Sequence, residues 1–142
     1  MPTTPTVLFA CIHNSGRSVA ARVLTEHYAA GAVRARSAGS EPGGGVNPVV
    51  AHVLAERGLS TAAEIPTKLD PALVESADVV ITMGCGETCP VFPGKRYEDW
   101  TVADPKGQDL DTVRAIVDDV DARVRALLTG LGVAVPTGRA SG

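Results

Sequence analysis

The sequence predicts a single three-layer α/β domain, with a short, mostly parallel four-stranded sheet flanked by helices. Three observations predict it. Apolar, β-branched runs of strand length alternate with segments whose apolar residues recur at three- and four-residue spacing, the pattern of a parallel sheet with helical crossovers. The length of 142 residues suits one domain, and 44% apolar with 20% charged residues is an ordinary globular composition. No internal repeat or linker breaks the alternation.

Residues 6–10 form the first strand, a buried apolar run that delivers the chain to Cys11. Val19, Ala20, Val23, Leu24, His27 and Tyr28 then recur at helical spacing, and Gly31 is a natural stop. Val33 to Ala38 reads as the second strand, followed by a connection through Gly43, Gly44 and Gly45. Asn47 is an N-cap with Pro48 in the first helical position; Val49, Val50, Val53 and Leu54 supply the apolar face, and Gly58 closes the helix. Asp70-Pro71 repeats the capping signal for a short helix reaching about Ser76. Ala77 to Met83 has the β-branched character of a central parallel strand, and Lys95 to Trp100 is a weaker strand suited to an edge. The last helix carries Leu110, Val113, Val117, Val120, Val124 and Leu127 on one stripe. The domain is therefore expected over residues 1–130, with a loose tail over 131–142.

Bulk properties narrow the function. A net charge of -3 and a pI near 5.5 leave no basic footprint, so nucleic acid is not an expected partner. The first residues, MPTTPTVLFAC, lack the basic start and long apolar run of a secretory signal, and no stretch approaches a membrane span. A cytoplasmic location is expected, and three cysteines there point to catalysis or redox chemistry rather than a disulfide framework. A monomer is expected, because no apolar stripe remains once the core faces are assigned.

In open α/β sheets ligands bind beyond the carboxyl ends of strands, and the segment Cys11-Ile12-His13-Asn14-Ser15-Gly16-Arg17-Ser18 lies there. Backbone N–H groups of such a loop can converge on one point, and the following helix start adds partial positive charge. Arg17 adds a planar fork of donors matched to two oxygens of a tetrahedral anion. The same field favours negative charge on the Cys11 sulfur, and Ser18 can donate its hydroxyl to it. Gly16 is expected to permit a tight turn, and Asn14 to tolerate a left-handed conformation. His13 reads as a loop residue rather than a base, since a thiolate needs none. His27 and His52 lie on predicted helices and read as structural.

An oxygen leaving a tetrahedral centre needs a proton, and Asp104-Pro105, in a loop after Trp100, is the candidate acid. Pro105 holds Asp104 in an extended conformation that helps aim it. Cys85 and Cys89 follow the predicted central strand within a glycine-containing segment, and should emerge on the same sheet edge as Cys11. Two thiols beside a reactive third suggest serial disulfide exchange. A zinc site would need a fourth ligand at suitable spacing, and none is apparent.

These residues resemble the arsenate reductases of the low-molecular-weight tyrosine phosphatase fold. The resemblance rests on the Cys11–Ser18 loop, Asn47-Pro48, Gly84-Cys85-Gly86, Cys89-Pro90 and Asp104-Pro105, and runs from about residue 5 to residue 129. It implies that Cys11 attacks arsenate held by the loop (Ile12 to Gly16) and Arg17, while Asp104 protonates the departing oxygen. It further implies that Cys85 attacks the arsenylated Cys11, that Cys89 then moves the disulfide to Cys85–Cys89, and that thioredoxin reduces it, with no metal or bound cofactor. Two departures stand out: the later cysteines are closer together than in well-known thioredoxin-coupled members, and Arg22 stands where some members bind potassium through an acidic residue. Three rivals remain at this stage. One is the same reductase drawing on mycothiol, or on glutathione with a glutaredoxin-type protein. Another is a phosphatase, disfavoured because Lys106 and Gly107 replace the aromatic residues that follow Asp-Pro in phosphatases of this fold. The third is a three-thiol arsenite or metal sensor, which would gain nothing from Arg17 or Asp104.

Overall fold

Four strands pair side by side: β1 (Thr6–Cys11), β2 (Arg34–Gly39), β3 (Val79–Thr82) and β4 (Arg96–Asp99) stand in the order β2-β1-β3-β4, every pair parallel. Between and after them run α1 (Arg17–Ala29), α2 (Pro48–Glu56), α3 (Pro71–Ser76) and α4 (Leu110–Gly130). The computed structural model describes residues 4–11, 16–39, 43, 45–61, 64, 66–83 and 96–133. The loose tail expected from residue 131 falls, beyond residue 133, outside the described residues.

Both faces of β1 are buried, which is why its sequence reads as an unbroken apolar run. Val7, Phe9 and Cys11 point into one core with residues of α1, α2 and α4; Leu8 and Ala10 point into the other, beneath α3. The three layers follow from this alternation. β3 is the inner strand expected, and β4 is an edge, with β2 at the other.

Element ends differ from the sequence expectation by a residue or two, each for a local reason. The Ala77–Met83 run is longer than β3 because Ala77 caps α3, its N–H donating to the Val74 carbonyl at 3.1 Å, while the Asp78 carboxylate accepts from Thr6 N–H at 2.8 Å. β2 extends to Gly39 because that residue stays in register with Cys11. Ala30, at φ 49°, rather than Gly31 takes the left-handed C-cap of α1. His27 is exposed, so it lies off the apolar face to which its spacing assigned it.

One polar cluster crosses the helical layer. Asp121, 1% exposed, accepts from the Tyr28 hydroxyl at 2.7 Å and pairs with Arg57 at 3.2 Å and Arg125 at 2.7 Å. Arg57, itself buried, also pairs with Asp118. The cluster joins α1, the end of α2 and the middle of α4. Nothing in the residue spacing singled it out.

Candidate active site

Because the strands are parallel, their carboxyl ends share one edge, and three of the segments that leave it meet around a cavity of about 300 Å³. From the end of β1 come Cys11, Gly16 and Arg17; from the connection between β2 and α2 come Gly43 to Pro48 in part; from the connection between β4 and α4 come Asp104, Pro105 and Lys106.

Cys11 is the last residue of β1 and 2% exposed, with its Sγ 2.9 Å from the buried Ser18 Oγ. Ser18 sits in the first turn of α1, and that is what brings its hydroxyl back over the strand end. Gly16 is the N-cap of α1 and offers no side-chain cap, so the helix N-terminus faces the cavity with its partial positive charge.

Arg17 has a side chain only 10% exposed. Its Nη1 donates to the Val102 carbonyl at 3.3 Å, and its Nη2 lies 3.9 Å from Asp104 Oδ2. The guanidinium is thus steered from across the cavity by the chain that follows β4. That chain is itself anchored: Trp100 packs on Phe9 with ring centroids 5.8 Å apart, and Val102 is buried. Asp104 is half-exposed, and its Oδ1 accepts the Lys106 N–H at 3.0 Å.

Gly16, at φ −133° and ψ −82°, lies outside the left-handed region. A demand for glycine that the spacing did not suggest is proximity: a Cβ there would lie 2.7 Å from Pro105 Cγ. The absent side chain lets the Asp-Pro segment dock against the start of α1.

Cys11, Gly16, Arg17, Ser18 and Asp104 are therefore together. Ile12, His13, Asn14 and Ser15 lie outside the described residues, as do Cys85 and Cys89. The last described residue before the paired thiols is Met83, whose N–H donates to the Ala10 carbonyl at 2.7 Å, one residue before Cys11. Arg22 ties α1 to its surroundings: Nε donates to the Ala35 carbonyl at 3.0 Å, and the guanidinium pairs with Glu26 at 3.1 Å and with Glu64.

Sequence reasoning missed the wall built by Gly43 and residues 45–48, the Val102 carbonyl and Lys106. The first had a signal, since any segment leaving a parallel strand arrives on the same edge. The Val102 contact had none, because it depends on how far the chain after β4 folds over the sheet.

The sequence matches the family model of the low molecular weight phosphotyrosine protein phosphatase over residues 6–136. It is 32% identical to a putative arsenate reductase of Halobacterium salinarum, over 82% of this chain and 85% of that protein. It is 30% identical to a glutaredoxin arsenate reductase of Synechocystis, over 86% of this chain and 95% of that protein. Among solved structures, a thioredoxin-dependent arsenate reductase of Corynebacterium glutamicum superposes with a TM-score of 0.82 at 41% identity, over 91% of this chain. The chain spans 62% of that structure's length, less than two thirds of it.

Proposed function

The chain belongs to the low molecular weight phosphotyrosine protein phosphatase family, and on that premise we propose that it is an arsenate reductase with Cys11 as its nucleophile. The observation that carries this reading is the convergence of the Cys11 thiol, the Arg17 fork and the Asp104 carboxyl on one cavity at the carboxyl edge of the sheet.

The chemistry follows from those groups. Arg17, the helix N-terminus and the backbone of residues 12–16 hold the tetrahedral oxyanion. Cys11 Sγ attacks arsenic as a thiolate, favoured by Ser18 Oγ at 2.9 Å. A sulfur–arsenic bond forms, an arsenic–oxygen bond breaks, and the departing hydroxide takes a proton from Asp104 to leave as water. Cys85 then attacks Cys11 Sγ, and the electron pair of the sulfur–arsenic bond passes to arsenic, releasing arsenite. Cys89 displaces Cys11 from the disulfide, and thioredoxin reduces the Cys85–Cys89 pair. Three points support the relay. β3 leads directly into the segment that holds both thiols, it runs beside β1, and a thioredoxin-dependent arsenate reductase is among the similar structures. No metal or bound organic cofactor enters any step. A second electron source, a small thiol acting with a glutaredoxin-type protein, is favoured by the likeness to the Synechocystis protein.

The deciding measurement is arsenate-dependent NADPH oxidation with thioredoxin and thioredoxin reductase, on the wild type and on Cys89→Ser. Turnover by the wild type that is lost in the variant supports the three-thiol relay. Turnover kept in Cys89→Ser removes Cys89 from it. Turnover seen only with glutathione or mycothiol and a glutaredoxin-type protein transfers the reading to that donor.

A further inference from the structure

We propose that the Asp104–Gly107 turn sets which oxygen of the acid carries the proton, Oδ2, and that Gly107 is the positioning residue on which this aim depends. The proposal rests on the reading of Asp104 as the acid of the arsenate reductase.

Asp104 Oδ1 accepts the Lys106 N–H at 3.0 Å, whereas Oδ2 faces Arg17, 3.9 Å from Nη2. In a protonated carboxyl group the hydroxyl oxygen is the poorer acceptor, so an N–H aimed at Oδ1 leaves the proton to Oδ2. Oδ2 is also the oxygen turned toward the guanidinium that would hold the substrate. As the sulfur–arsenic bond forms and the arsenic–oxygen bond breaks, the Oδ2 proton passes to the leaving hydroxide. Water departs, Asp104 is left as a carboxylate, and the oxidation state of arsenic does not change in this step.

The turn is fixed at both ends. At one end Pro105 sits where a Cβ on Gly16 would come within 2.7 Å of its Cγ, so the acid's own neighbour docks on the start of α1. At the other, Gln108 N–H donates to the Pro105 carbonyl at 3.1 Å, with Gly107 at φ +74°. That left-handed residue completes the turn that presents the Lys106 N–H to Oδ1, and it is a conformation L side chains resist. A Cβ on Gly107 would meet nothing within 4 Å, so a substitution there acts on the backbone alone.

The test compares Gly107→Ala with Gly107→Asn in the full chain, because asparagine tolerates the left-handed region and alanine does not. In single turnover the alanine variant should arsenylate Cys11 about tenfold more slowly, part of the 10²–10⁴ that a positioned acid contributes. Inhibition by inorganic phosphate should stay within about twofold of wild type, since Cys11 and Arg17 are untouched, and the asparagine variant should recover most of the rate. A wild-type rate in Gly107→Ala, an equal loss in Gly107→Asn, or weakened phosphate inhibition would each overturn the proposal. Hydrolysis of phenyl phosphate and 4-nitrophenyl phosphate provides the second arm: loss of an aimed acid slows the poorer leaving group more, and equal slowing of both esters overturns the proposal. A wild type that reduces no arsenate sinks the reductase reading, while the two esters still judge the turn.

Discussion

At the end of β1 the Ser18 hydroxyl lies 2.9 Å from the Cys11 sulfur, fully buried and held by the first turn of α1. A hydrogen bond to a charged group is worth about 1.5–3 kcal/mol, so Ser18→Ala should slow arsenylation by roughly ten- to a hundredfold. Single-turnover arsenite release checks it, and an unchanged rate would show that the hydroxyl does not act on the sulfur. The spacing of Cys11, Arg17 and Ser18 around a strand end was legible because it is local. The partnership of Arg17 with Val102 and Asp104 spans more than eighty residues, and nothing in the spacing encodes it.

The elements place these side chains, and their beginnings are written locally. Asn47 Oδ1 accepts from Val49 N–H at 2.9 Å and Val50 N–H at 3.3 Å, and Asp70 Oδ1 accepts from Ala72 N–H at 2.7 Å, as their Asn-Pro and Asp-Pro pairs predicted. α4 has a cap that the reading of its apolar stripe passed over: Asp109 Oδ1 accepts from Thr112 N–H at 3.0 Å. The Thr112 hydroxyl first, and its N–H second, hold the Asp109 carboxyl below its ordinary value of 3.8. A carboxyl lowered in the folded state adds stability above its unfolded value and loses it as pH falls through the folded one. The advantage of wild type over Asp109→Ala should therefore be complete at neutral pH and shrink below about pH 4, read as the gap between urea midpoints. A gap that persists unchanged at pH 2 would assign the effect to something other than the charged cap.

At the scale of the molecule, the buried cluster around Asp121 binds three helices into one layer. Removing one partner of a buried pair strands the other, so Asp121→Ala should lower stability by about 3–5 kcal/mol, measured by chemical denaturation. Tyr28 lies roughly 16 Å along α1 from Arg17, at about 1.5 Å per residue, so arsenate reduction per folded molecule should be retained. Loss of turnover in protein shown to be folded would mean that this cluster reaches the site. Among the described residues, no helix is long and apolar enough to cross a membrane.

The fold class, the order of its elements, the two proline-linked caps, and the choice of Cys11, Arg17 and Asp104 as residues of one site were all readable from local pattern. Apolar periodicity, capping and loop chemistry act over a few residues, and those few residues are adjacent in the chain. The all-parallel pairing, the wall of Gly43 and residues 45–48, the docking of Pro105 on Gly16 and the Asp121 cluster emerged only in the folded chain. Each depends on packing between segments far apart in sequence, where shape and distance, rather than residue type at a given spacing, decide which groups meet.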